Sequence, residues 1–158
     1  MRRIIPSLLT VLAVLSACGS LDCPLNNIVN TKYRLKGVAA KDTITVSTTK
    51  QTGNDSVLIN KDVKPDSLLL RMSYTQPEDV LYFEVRDSMQ RVFLDTVRIQ
   101  KENQIHFESV DCSPNYFHTI TGVTTTHHKI DSIVINRKDV NYDATKEHFT
   151  LYFGSRRR

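Results

Sequence analysis

From Thr31 onward apolar and polar residues alternate with period two, and no 3.6-residue stripe longer than a turn or two competes. Tyr33 and Leu35 alternate with Lys32, Arg34 and Lys36, and Ile44 and Val46 with Thr43, Thr45 and Ser47. Val57 and Ile59 follow the turn signal Gly53-Asn54-Asp55, and Leu68, Leu70 and Met72 follow Lys64-Pro65-Asp66. The clearest strand runs from Val80 to Arg86, with Leu81, Phe83 and Val85 on one face and Tyr82, Glu84 and Arg86 on the other. Asp87-Ser88-Met89-Gln90 predicts a hairpin turn into a strand over Arg91 to Ile99. There Asp95 shares a face with Phe93, Val97 and Ile99, which predicts a bulge or a sheet edge. The polar run Lys101-Glu102-Asn103 predicts a turn into Ile105 and Phe107, and Ser113-Pro114-Asn115 a further break. Tyr116 to Thr126 is rich in threonine, aromatic and β-branched residues, as strands prefer. Ile130 to Ile135 is another apolar run. The last strand places Phe149, Leu151 and Phe153 inward and His148, Thr150 and Tyr152 outward.

About nine or ten short strands with regular turn signals predict an all-β domain. The expected architecture is an antiparallel β-sandwich, immunoglobulin-like in the broad sense, with a small closed barrel as the alternative. The chain has no tryptophan, so the buried strand Trp of antibody-type domains is absent. No internal repeat of fixed period and no low-complexity tract interrupts the pattern.

The first residues follow a different logic. Arg2 and Arg3 precede a mostly apolar run from Ile4 to Leu15, then small residues and a cysteine, Leu15-Ser16-Ala17-Cys18. This is the charge, apolar core and small-residue order of a secretory signal. It is too short for a comfortable membrane span, which needs about 20 residues. Leu15-Ser16-Ala17-Cys18 resembles the lipobox of bacterial lipoproteins. The resemblance implies cleavage before Cys18, acylation of Cys18 (palmitate included) and anchoring in the cell envelope. The expected division is therefore residues 1–17 signal peptide, 18–30 lipidated tether, 31–154 β-sandwich domain and 155–158 basic tail. A single carboxylate, Asp22, follows the cysteine closely, whereas surface lipoproteins of the Bacteroidota usually carry an acidic run there. An outer-membrane anchor facing the periplasm is expected, with surface display as the alternative.

That leader changes the meaning of the charge. The chain is +4 with a pI near 9.0, but loss of Arg2 and Arg3 lowers it to +2, and setting aside Arg156, Arg157 and Arg158 leaves −1. No basic face for nucleic acid remains, and none is expected as a partner. The arginine tail is expected to be a solvated end. It also leaves Cys23 and Cys112 as the remaining thiols, in similar surroundings: Leu21-Asp22-Cys23-Pro24 and Val110-Asp111-Cys112-Ser113-Pro114. In an oxidising envelope a disulfide is the simplest fate, and two free thiols or a redox pair are the alternatives. Neither sits in a Cys-x-x-Cys motif.

Candidate chemistry is sparse. His106, His118, His127, His128 and His148 all lie in the C-terminal third. Strand neighbours point to opposite faces, so His127 and His128 cannot both bind one ion from regular β structure. A metal site would combine His127 or His128 with His118 or His106 from an adjacent strand, and no zinc-motif spacing supports it. No metal or cofactor is therefore expected. The acid pair Glu78-Asp79 follows Pro77 in a turn, and there is no Gly-x-Ser-x-Gly, Ser-x-x-Lys or glycine-rich phosphate loop. No catalytic residue is assigned. One pattern exceeds chance. Asp, then Ser or Thr, then an apolar residue occurs six times, with hydroxyls at Thr43, Ser56, Ser67, Ser88, Thr96 and Ser132. Composition alone gives about one. The triplet resembles an O-glycosylation acceptor of exported Bacteroidota proteins. Turns that lead into strands also enrich this order without any modification.

The stretches Ser73-Tyr74-Thr75-Gln76-Pro77-Glu78-Asp79-Val80-Leu81-Tyr82-Phe83 and His106-Phe107-Glu108-Ser109-Val110-Asp111-Cys112 are similar to a family of small, uncharacterised Bacteroidota envelope lipoproteins. So are Asp22-Cys23-Pro24-Leu25-Asn26-Asn27 and Phe117-His118-Thr119-Ile120. The resemblance implies the lipid anchor and the two cysteines, and carries no activity. The functional expectation is a membrane-anchored, non-enzymatic binding or structural module for an outer-membrane protein partner. A metal-binding or sensing protein using His118 with His127 or His128, and a hydrolytic or carbohydrate-active enzyme, are the alternatives.

Overall fold

A computed structural model describes residues 23, 29–49, 53, 55–74 and 76–154. Among the described residues ten strands follow in order: β1 Asn30–Lys36, β2 Thr43–Thr49, β3 Asp55–Val63, β4 Ser67–Arg71, β5 Glu78–Arg86, β6 Val92–His106, β7 Asn115–Thr125, β8 Ile130–Ile135, β9 Asp139–Val140 and β10 Phe149–Phe153. They form two sheets, β4-β1-β10-β8 and β3-β2-β5-β6-β7-β9. Among the described residues no ladder joins one sheet to the other, so the molecule is a β-sandwich and not a closed barrel.

Alternation drives the packing, because a period-two strand can cover a core with one face only. In β5, Leu81, Phe83 and Val85 are buried while Tyr82 is exposed. Ile44 and Val46 from β2, and Val97 and Ile99 from β6, line the same face. The opposite sheet contributes Tyr33, Leu68, Leu70, Phe149 and Leu151. The rings of Tyr33 and Phe149 stack at 5.0 Å between centroids. Among the described residues all ladders are antiparallel but one: β1 and β10 run parallel, pairing Tyr33 with Phe149 and Leu35 with Leu151. The two strands are far apart in the chain, so no tight turn dictates their relative direction. Gly37 leaves β1 with φ +84, and a Cβ there would run into the backbone carbonyl of Phe153. Glycine alone meets both conditions without strain.

Four expectations are corrected. Asp95 is not at a bulge, since β6 pairs regularly with β5 from Glu78↔Gln100 to Arg86↔Val92; it does lie on a local edge, because among the described residues the β6–β7 ladder begins only at Val97↔Thr125. Lys101-Glu102-Asn103 does not turn; β6 continues through it to His106 with Lys101 buried. A register shift between Gln100 and Lys101 leaves Thr121 of β7 without an opposite residue. His148 and Thr150 do not face solvent. Both are buried beneath the segment that links β8 to β10, where Asn136 Nδ2 donates to Thr150 Oγ1 at 2.7 Å. Finally, Glu78 and Asp79 do not sit in a turn but open β5, opposite Gln100 and Ile99 of β6. The short strand β9, pairing with His118 and Thr119, has no sequence signal of its own.

Candidate functional site

One end of the sandwich concentrates the unusual chemistry. The β6–β7 hairpin overhangs it, a buried lysine sits at its base, and an open groove lies beside that base.

Cys23 and Cys112 are joined by a disulfide across 89 positions of sequence. Cys112 lies in the hairpin loop, where its amide donates to the Ser109 carbonyl at 3.2 Å. The bond ties the residues before β1 to the tip of the overhang. On one face of the hairpin His106 stacks on Phe117 at 4.3 Å, and Tyr142 meets Phe117 edge-on at 5.0 Å. On the other face Tyr74 packs on Tyr116 at 5.7 Å.

Period two puts Lys101 on the inward face after Val97 and Ile99, so its ammonium enters the interior. It donates to the carbonyls of Gln76 (2.6 Å) and Ser73 (2.8 Å) and to Asn103 Oδ1 (3.0 Å), and lies 3.1 Å from Ser73 Oγ. Asp79 is 3.8 Å away and accepts from the Ser73 hydroxyl and amide. Asn103 Nδ2 donates to Gln76 O, which fixes Oδ1 as the acceptor facing His118 Nδ1 at 2.8 Å. His118 therefore carries its proton on Nδ1. Burial, followed by the Lys101 charge, lowers the His118 imidazole to about 4. Burial also pushes Asp79 up and Lys101 down, and their mutual attraction opposes both changes.

Ser73, Asp79 and Lys101 have the composition of a nucleophile with an acid and a base, but the geometry assigns them otherwise. A general base needs a free lone pair. Here two carbonyl oxygens and an amide oxygen, acceptors only, surround the lysine and hold it as an ammonium. The cluster is a tie that closes the segment between β4 and β5 onto β6. Sequence reading missed it because a polar triplet imitates a turn. The available signal was the odd-numbered face, which Lys101 and Asn103 continue.

Beside this tie a groove of about 1140 Å³ opens between β2, β3, β5 and the segment after β4. Leu58, Met72, Tyr74, Val80 and Tyr82 supply apolar surface, and Arg71, Arg98 and Glu78 charge its rim. Arg98 and Glu78 are paired at 2.8 Å. The expected acid pair thus divides: Glu78 points to the rim, whereas Asp79 joins the lysine tie.

The remaining candidates separate. His118 lies within β7, and His127 and His128 lie just past its end. Nine residues at about 3.3 Å each separate His118 from His127 by about 30 Å. The expected cross-strand combination fails because all three belong to one strand and its exit. His106 pairs with Glu108 at 3.0 Å, and the Nδ1 of buried His148 accepts from the Lys32 amide at 3.1 Å. Among the described residues no three His, Cys, Asp or Glu side chains converge on a metal position. Of the six triplet hydroxyls, Ser67 and Ser88 are exposed, while Thr43, Ser56, Thr96 and Ser132 are half-buried. The aspartates of two triplets do structural work: Asp87 accepts from the amides of Met89 and Arg91 and closes the β5–β6 turn, and Asp95 anchors the chain beyond β7. Cys18 lies outside the described residues.

At the far end of the sandwich Asp95 organises the crossover from one sheet to the other. Its Oδ1 accepts from Thr126 Oγ1 (2.9 Å) and the His128 amide (2.6 Å), and its Oδ2 from the amides of Lys129 (2.6 Å) and Ile130 (2.8 Å). Burial alone would raise this carboxyl, but the three amides and the hydroxyl outweigh burial and hold it below the usual range.

The fold and this end define a disulfide-linked β-sandwich with an overhanging hairpin and a side groove. Residues 43–153, from β2 to the end of β10, match the family of unknown function DUF6452, and the chain belongs to it. No curated protein and no solved structure matches.

Proposed function

We propose that the protein is a lipid-anchored envelope lipoprotein that binds another envelope protein through the groove and performs no chemistry of its own. In this reading Cys18 carries the lipid, the anchor is in the outer membrane, and the domain faces the periplasm, as in the small Bacteroidota lipoproteins it resembles. The observation that carries the reading is the Cys23–Cys112 disulfide in the hairpin at the end of the sandwich where the groove opens. It ties a residue five positions after the acylation cysteine to the end of the sandwich where the groove opens. Anchor and recess then share one end, which suits a module presenting its binding face close to a membrane. The groove supports a protein partner by its exposed tyrosine and arginine side chains, types that dominate contact energy at interfaces.

The test is photo-crosslinking in native membranes. A benzophenone side chain replaces Tyr82 in the groove or, as a control, Leu69 on the outer face of the four-stranded sheet. The expected outcome is one discrete adduct from position 82 and none from 69, together with an intact mass that includes acyl chains. Monomer alone at both positions refutes the partner reading, and a mass without acyl chains refutes the anchor.

A further inference from the structure

The tip of the β6–β7 hairpin is apolar and, among the described residues, uncovered. Ile105 is 61% exposed, Phe107 59% and Val110 97%. They occupy a short stretch of an otherwise polar overhang, and Val110 is two residues from the disulfide cysteine Cys112. Exposed Tyr74 and Tyr142 stand behind them, flanking the base. An apolar point backed by tyrosines is the order of chemistry met on crossing from lipid chains into headgroups.

The chain outside the structure says what lies opposite this tip. Cys23 is bonded to the hairpin, and Cys18 is five residues earlier. Five extended residues reach at most about 17 Å. The tip therefore cannot stand farther from an acyl chain on Cys18 than a few headgroup diameters. We propose that the β6–β7 hairpin tip is a membrane-contact surface that seats Ile105, Phe107 and Val110 in the headgroup layer beside the lipid anchor. This rests on the anchor reading above and adds to it a fixed orientation: the groove is held facing sideways along the membrane instead of swinging on a tether.

Charge sets the depth and the lipid. Glu108 is paired with His106 at 3.0 Å, and the proximity of Glu108, after burial, raises the Tyr142 hydroxyl. Asp111 is exposed at the tip. Two carboxylates beside three apolar side chains favour shallow contact with a zwitterionic surface over deep insertion or an anionic one.

The chain has no tryptophan, so one introduced residue reports its own surroundings. Val110→Trp is compared with Met89→Trp, an exposed position (74%) in the β5–β6 turn at the far end. Each full-length lipoprotein is purified from membranes, checked by intact mass for acylation and by thiol count for the disulfide, and reconstituted into phosphatidylethanolamine–phosphatidylcholine vesicles with or without brominated acyl chains. The expected result is at least about twofold quenching of position 110 by brominated lipid and none at position 89, with Phe107→Trp following position 110. Acylated protein in which positions 107 and 110 are as unquenched as 89 overturns the proposal and leaves the anchor standing. A blue-shifted but unquenched position 110 overturns it in favour of cover by residues 24–28 or by another protein. Protein without acyl chains overturns the anchor reading, and the proposal with it.

Discussion

Asp95→Asn isolates what one buried carboxylate does for this fold. The wild-type side chain receives four donors, two on each oxygen, three of them backbone amides at the β7–β8 crossover. An asparagine keeps one oxygen; with its NH2 in the place of Oδ1 it donates to the Thr126 hydroxyl, and the His128 amide is left facing a donor. The unsatisfied amide costs about 1–3 kcal/mol and the loss of charge on the bonds from Lys129 and Ile130 about 1 kcal/mol each, about 3–5 kcal/mol in all. That is a large share of the ~5–15 kcal/mol that stabilises a typical domain. Thr126→Ala is the internal comparison. It removes one donor and leaves the carboxylate with three amide donors, for a loss of about 1.5–3 kcal/mol. The assay is urea unfolding followed by far-UV circular dichroism, with the disulfide intact and the slope of the transition checked for constancy. An Asp95→Asn protein within about 1 kcal/mol of wild type would show that the crossover amides find other partners, and would refute the reasoning.

Three further outcomes follow from the same structure. Lys101→Met leaves the Ser73 carbonyl without a donor, removes one of the two donors to Gln76 O and Asn103 Oδ1, and leaves Asp79 without a counter-charge, for a loss of about 3–5 kcal/mol; where the variant folds, His118 titrates higher than in wild type by NMR, and an unmoved His118 separates it from the lysine. Reducing the Cys23–Cys112 bond, with its sequence separation of 89, should lower stability by about 4.6 kcal/mol in the chain-entropy model, read as a fall in urea midpoint with reductant; an unchanged midpoint refutes it. Stability should also decline in two acid stages. The folded His118 titrates at about 4, below the ~6.5 of an unfolded histidine, so the unfolded chain binds the extra proton first and stability falls as pH drops from about 6.5 to about 4. His148, lowered by burial, acts in the same direction. Below about 4 the carboxylates Asp95 and Asp143 take over: their folded values are depressed, Asp143 to about 2 through Thr145 and Arg137, so stability is lost as they protonate. A urea midpoint flat from pH 6.5 to 4 contradicts the first stage.

Alternation of side chains determined most of the sheet from sequence alone. Strands around Tyr33, Ile44, Phe83, Val97, Ile133 and Leu151 were legible because each must hide one face, and a two-residue period leaves little choice of which. The same rule, applied without neighbours, misread Asp95 as a bulge, though not its place on a local edge, and Lys101-Asn103 as a turn. A charge on an inward face looks like an error until the partner that satisfies it is known, and those partners lie as far away as Thr126, His128 and Ser73. The sequence likewise could not tell that His118 and His127 share one strand path, or that the first and last strands lie side by side and parallel. Composition and local periodicity determine which face of a strand is buried. Tertiary structure alone decides what each buried polar group meets there, because hydrogen-bond satisfaction depends on three-dimensional proximity between distant segments.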